Sequence, residues 1–193
     1  DLVRSRGLGD VYKRQVYLIS SDVMHIKELI YLNREAQLGL WEYIHAHDSM
    51  IDEVRGNNYY SEPIAFELDD SDIKETIRPY AMGRIIDVAQ FISQYNCDPD
   101  GPGGCFSFEI ADELLPWNNG TFVIDFEKGH CALTDKNPQY HLSMSIGTFT
   151  TLLLGYKSAE KLLQMGKIQT TYDAVAKLDD ILYHEIPYVS DYI

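Results

Sequence analysis

Cys105-Phe106-Ser107-Phe108-Glu109-Ile110-Ala111, followed after a polar stretch by Thr121-Phe122-Val123-Ile124-Asp125-Phe126, carries the reading of the fold. Both runs are rich in aromatic and β-branched residues, the composition of strands. Asn119-Gly120, just ahead of the second run, is a tight-turn signal, so the two runs are expected to form a hairpin. Upstream, Asp98-Pro99-Asp100-Gly101-Pro102-Gly103-Gly104 places two prolines and three glycines in seven residues and reads as a loop.

Working outward toward the C-terminus, Leu142 to Ile146 is strand-like and leads through Gly147 into an apolar helix near Phe149 to Leu154. Ser158 is the expected N-cap of a further helix that Gly166 ends. Asp173 to Leu182 reads as a last amphipathic helix, and Pro187 opens an extended tail ending at Ile193. A second unit is expected to begin after Pro79, with a strand over Ala81 to Val88 and a helical stripe of Val88, Phe91, Ile92 and Tyr95.

Toward the N-terminus, Val16 to Ser20 is a β-rich run, and Met24 to Ile30 either continues a sheet or starts a turn. Ala36, Leu40, Trp41 and Ile44 give the 3–4 spacing of an amphipathic helix over Asn33 to Ala46, with Asn33 as N-cap and Glu35 in the first turn. Ser49 to Val54 and Ile64 to Leu68 alternate and read as strands, and Asp69 to Asp72 is a polar break. The class is α+β with mostly antiparallel strands.

The chain has 193 residues, with 16 Lys+Arg against 30 Asp+Glu and a net charge of −14. That balance disfavours binding to phosphate backbones and favours cationic or neutral partners. No apolar run is long enough for a membrane span, and no signal peptide is visible. With three cysteines, Cys97, Cys105 and Cys131, a reducing cytoplasmic setting is the expectation.

Asp1 to Gln15 differs from the rest. It holds Arg4, Arg6, Lys13 and Arg14 without strand or helix periodicity, and it looks like translated adapter sequence. It is therefore set apart from fold reasoning. Within it, Arg4-Ser5-Arg6-Gly7-Leu8-Gly9 fits a pyrophosphate-binding R-x-x-G-x-G pattern. That chemistry needs a preceding strand and an apolar helix behind it, and neither is there.

Other constellations have plain readings. His45 and His47 with Asp48 suggest zinc, but residues two apart on a helix point to different sides, so no metal site is expected. Asp98 and Asp100 lack the closing Glu of a calcium loop. Cys97 and Cys105 flank the Pro/Gly loop and could approach each other, but a reducing compartment gives a disulfide no support. No serine sits in a nucleophile elbow, and no cysteine has an activating His beside it.

Several segments together resemble the C-terminal half of the enhanced intracellular survival (Eis) family of GCN5-related N-acetyltransferases. Asn33-Arg34-Glu35-Ala36 through Leu40-Trp41-Glu42-Tyr43-Ile44, with His47-Asp48-Ser49, is similar to a helix of the family's second acetyltransferase-like domain. Ile64 to Asp70 and Pro79 to Val88 resemble the crossing into the third domain. Glu109 to Asp112, Asn118 to Phe122, Leu152 to Leu162 and Gly166 to Ile168 are similar to its sterol-carrier-protein-like third domain. The resemblance divides the chain into residues 1–15, a remnant of the second acetyltransferase-like domain over 16–80, and a sterol-carrier-like α+β domain over 81–193.

The resemblance implies a longer parent that moves acetyl from acetyl-CoA to an amine of a cationic substrate, such as an aminoglycoside, a polyamine or lysine. The terminal carboxylate, here that of Ile193, would be general base, with Asp191 and Tyr192 close to substrate. The family often ends in Phe rather than Ile. The parent's N-terminal acetyltransferase domain would be missing, so this portion would bind no acetyl-CoA and be inactive alone. Homo-oligomers, but no nucleic acid and no membrane, are the implied partners. A lipid- or sterol-binding module and a structural oligomerisation domain are the alternatives.

Overall fold

The computed structural model describes residues 12–58, 64–68, 72–77, 81–183, 185–187 and 189. It is mixed α+β and divides into two compact units, residues 1–78 and 79–193, each with its own core.

In the first unit, β1 (Lys13–Ser20) and β2 (Val23–Tyr31) form an antiparallel hairpin. Its two-residue turn puts Ser21 and Asp22 in the left-handed region, at φ 52° and 61°. Left-handed pairs match strand twist, and here they come without the usual glycine. Helix α1 (Arg34–His45) follows and returns the chain to β3 (Glu53–Gly56), which pairs parallel to β2. Asn33 caps α1 as its sequence indicates, its Oδ1 accepting the Ala36 N–H at 2.8 Å. Ile44 and Trp41 of α1 bury against Tyr17, Met24, Ile19 and Ile26.

Three expectations shift in this unit. The strand read over Ser49 to Val54 is instead β3, because Ser49 and Met50 continue the turn after α1, with the Met50 N–H donating to the His47 carbonyl at 2.8 Å. The first strand begins at Lys13 rather than Val16, because nine-residue β2 offers ladder partners to Lys13, Arg14 and Gln15. Tertiary pairing overrides the absence of local periodicity. Ile64 to Leu68 is not a strand: Ile64–Glu67 is one helical turn, α2. Five residues are too short to fix a period, and Glu67 is held by the helix α1 side chains Arg34 and Gln37 rather than by a ladder. The polar break over residues 69–71 lies outside the described residues.

The second unit starts irregularly. Residues 81–87 form no strand, contrary to expectation, and at Ile85 and Ile86 side chains take backbone groups that a ladder would use. The Ile85 N–H donates to Thr150 Oγ1 at 3.1 Å, and the Ile86 carbonyl accepts from Trp117 and Asn118, both at 2.9 Å. Asp87 then caps the short helix α3 (Val88–Ile92).

A five-stranded sheet follows, in the order β6-β5-β4-β7-β8. The strands are β4 (Gly104–Ala111), β5 (Gly120–Glu127), β6 (His130–Leu133), β7 (Tyr140–Ser145) and β8 (Ile168–Gln169). Its pairs are antiparallel except β4 with β7. The hairpin β4–β5 forms as expected, but Asn119-Gly120 is not its tight turn. Eight residues connect the strands, Asp112 to Asn119, with a 3-10 turn over Pro116–Asn118.

Helices α4 (Ile146–Leu153), α5 (Ala159–Gln164) and α6 (Tyr172–Asp179) complete the unit. Helix α4 starts directly after β7, with Ser145 as its cap, so Gly147 is inside the helix. Ser158 caps α5, whose first N–H groups also meet Asp179: Ala159 at 2.6 Å and Glu160 at 2.9 Å. Gly166 lies beyond α5 at φ 67°, the left-handed conformation that ends a helix.

The sheet's core face carries Phe106, Phe108, Phe126, Leu142 and Met144, packed with Phe149 and Leu152 of α4 and with Val175 and Leu178 of α6. Phe108 meets Phe149 edge-on at 5.3 Å, and Phe106 stacks on Tyr140 at 5.0 Å. Such pairs add to simple burial. No helix among the described residues is long and apolar enough to cross a membrane.

Candidate functional site

Ile193, which the family resemblance makes the general base, and Asp191 and Tyr192, which it puts near substrate, lie outside the described residues. So do Arg4 to Gly9 of the glycine pattern.

The histidine pair has separate surroundings. His47 Nδ1 is 2.8 Å from the Tyr43 carbonyl oxygen, and its ring lies 4.8 Å from that of Tyr43. Tyr43 in turn shares a 2.5 Å hydrogen bond with Tyr17, which pushes the Tyr17 phenol up to about 12. Asp98 accepts the Asp100 N–H at 2.9 Å and closes its own turn. No group of three His, Cys, Asp or Glu side chains able to hold a metal occurs among the described residues.

The cysteines are all free thiols and all buried. The partner of Cys97 is Cys131 rather than Cys105, because Cys105 points to the opposite face of the sheet, beside Asp125. Burial raises the Cys105 thiol pKa, so it is no ready nucleophile.

A denser polar arrangement surrounds Asp112, at the end of β4. Its side chain is 1% exposed. Oδ1 accepts from Arg84 Nη2 at 2.6 Å, from the Leu114 N–H at 3.0 Å and from the Leu115 N–H at 3.1 Å. Oδ2 accepts from Asn118 Nδ2 at 3.0 Å. Asn119 closes the loop from the other side, accepting the Asp112 N–H at 2.8 Å and donating to its carbonyl at 2.7 Å. Burial by itself would raise the carboxyl, but the hydrogen bonds of Asn118, Leu114, Leu115 and Arg84 outweigh it and hold the pKa at about 2. Asp112 is thus a fixed anion with its lone pairs committed, which suits holding a loop and does not suit proton transfer. Sequence reasoning passed over it; the only local signal was the Asn118-Asn119 pair behind an acidic strand end.

The open face of the same sheet carries a recess of about 590 Å³. Two rows of side chains cross it in register, Val123-Ser107-His141 and Thr121-Glu109-Ser143-Gln169. This polar face is the reverse of the phenylalanine-lined one, as strand alternation requires.

Comparison with known proteins matches the chain in two parts, the first running a few residues past the boundary between the units. The acetyltransferase (GNAT) domain pattern matches residues 11–85, and the sterol carrier protein domain pattern matches residues 88–190. No curated protein is similar enough to the chain to serve as a relative. Among solved structures, a probable N-acyltransferase of unknown function from Enterococcus faecalis is 27% identical at a TM-score of 0.83, over 94% of this chain and 46% of that one.

A GCN5-related N-acetyltransferase from Anabaena variabilis is 22% identical at a TM-score of 0.73, over 94% of this chain and 47% of its own. Eis1 from Mycobacterium abscessus is 16% identical at 0.69, over 94% of this chain and 48% of its own. The last two establish likeness of fold alone. The chain spans about half the length of these structures. The second pattern covers just over half of the 193 residues. The chain thus carries an acetyltransferase (GNAT) domain match followed by a sterol carrier protein domain, and through the latter it belongs to the sterol carrier protein domain family.

Proposed function

We propose that this chain is the rear portion of an Eis-like N-acetyltransferase, a longer protein that transfers acetyl from acetyl-CoA to an amine of a cationic substrate. One observation carries the reading: 94% of the chain aligns with about half of a probable N-acyltransferase at 27% identity and a TM-score of 0.83. The order of the two domain matches supports it.

In this reading the catalytic acetyltransferase domain and its acetyl-CoA site belong to the other half. The carboxylate of Ile193 accepts the proton that an ammonium must lose before it attacks the thioester. Asp191 and Tyr192 line the approach to it. The chain's charge of −14 supports a cationic acceptor, since a negative surface raises the local concentration of polyamines or aminoglycosides. A cytoplasmic, homo-oligomeric protein fits the three free thiols and this chemistry.

The test has two arms. The 193-residue chain alone should release no CoA from acetyl-CoA with spermidine or kanamycin present. The full-length parent should do so and should lose that turnover on deletion of Ile193. Unchanged turnover after the deletion would refute the terminal base.

A second reading, a carrier of apolar ligands, draws on the sterol carrier domain match. The interior between sheet and helices works against it, because Phe106, Phe108, Phe126 and Phe149 there are at most 1% exposed. Displacement of a fluorescent fatty acid by the chain, if saturable, would revive it.

A further inference from the structure

Cys97 and Cys131 stand on neighbouring stretches of chain. Asn96 forms an isolated antiparallel bridge with His130, the Cys97 N–H donates to the Gly129 carbonyl at 3.2 Å, and Cys97 Sγ reaches the His130 carbonyl at 3.5 Å. An antiparallel pair centred on Asn96 and His130 puts residues 97 and 131 on one face, diagonal to each other. Both belong to the sheet–helix core, and each thiol feels the other: on top of burial, the neighbouring Cys97 thiol helps push that of Cys131 up. Cys105 is excluded from this pair by strand alternation: it adjoins Phe106 but lies on the reverse face.

We propose that Cys97 and Cys131 form an oxidisable pair, closed to a disulfide by exchange with a low-molecular-weight disulfide such as oxidised glutathione, while Cys105 remains a thiol. One cysteine thiolate attacks the small disulfide and expels one glutathione. The other attacks the resulting mixed disulfide and expels the second. The protein loses two hydrogens and gains one S–S bond, and one glutathione disulfide becomes two thiols.

Burial pushes the Cys131 thiol up, so exchange proceeds through local opening of the residues around Asn96. That segment pairs with β6 through one isolated bridge rather than a continuous ladder, so a short local opening frees it and lets it draw in as the bond forms. Once formed, the bond closes a loop of roughly 35 residues and restricts the unfolded chain. It would clasp the stretch after α3 onto β6 and enclose strands β4 and β5.

The 193-residue chain is incubated with oxidised glutathione under mildly destabilising urea, quenched in acid, alkylated and mapped without reduction. The expected product has lost two hydrogens, contains a Cys97–Cys131 linked peptide and an alkylated Cys105, and melts on the order of 5 °C higher. C131A should abolish the linked peptide, and C97S, a second route to the same loss, guards against a variant that fails to fold. Three alkylated thiols after oxidation, or a bond that includes Cys105, would overturn the proposal.

Discussion

At Asp112 a carboxylate is held by four donors from residues two to 28 positions away in sequence. Its pKa is about 2, below the ordinary 3.8, so the unfolded chain binds its proton more readily than the folded one. The stabilisation is therefore complete above about pH 4 and is lost as pH falls through 2. Asp112→Asn should flatten the acid limb of the second unit's stability between those values, measured by urea midpoints at stepped pH, and lower Tm near neutrality.

Gln15 is the opposite case. It is buried on β1 and neither of its amide atoms has a hydrogen-bond partner. Gln15→Leu should therefore stabilise the chain by about 1–2 kcal/mol, by removing an unpaired buried amide. A fall in the urea midpoint would refute this. Gln15 closes the stretch that the sequence set apart as foreign, yet it pairs with Leu29 in the β1–β2 ladder. Neither residue was legible beforehand, because the partners that decide its state come from other segments.

Among the elements, those with local signals were readable. Asn33 and Ser158 cap the helices their sequences announce, and the aromatic runs from Cys105 and Thr121 pair as strands. Asn33→Ala should cost about 1 kcal/mol in the first unit, seen as faster amide exchange in α1 with little change in the sheet of the second. Where elements were misread, side chains had replaced a ladder. The Ile85 N–H and the Ile86 carbonyl are spent on Thr150, Trp117 and Asn118, and no pattern within seven residues could reveal partners so distant. The loop after β4 was likewise drawn too short, because Asp112 and Asn119 clamp eight residues that a turn signal alone would have made two.

For the whole molecule, the α+β class and the two-part organisation were visible in composition, periodicity and family likeness. The proposed base rests on that likeness alone: a chain end has no periodicity to read, and terminal residues owe their position to whatever they dock against. Phe108→Ala should cost about 3–5 kcal/mol, since the ring is fully buried and touches Phe106, Phe126 and Phe149. Guanidinium titration followed by far-UV dichroism would measure that loss.

The same rings bear on what such a scaffold can become. Where a carrier lends its interior to a passenger, this chain has furnished the room with its own aromatic side chains, so the tenant can never leave. Trimming one of them is then more than a wound to stability. A shortened ring opens a dry hollow of benzene-like dimensions, and small aromatic vapours or xenon should enter that hollow and restore part of the lost cohesion.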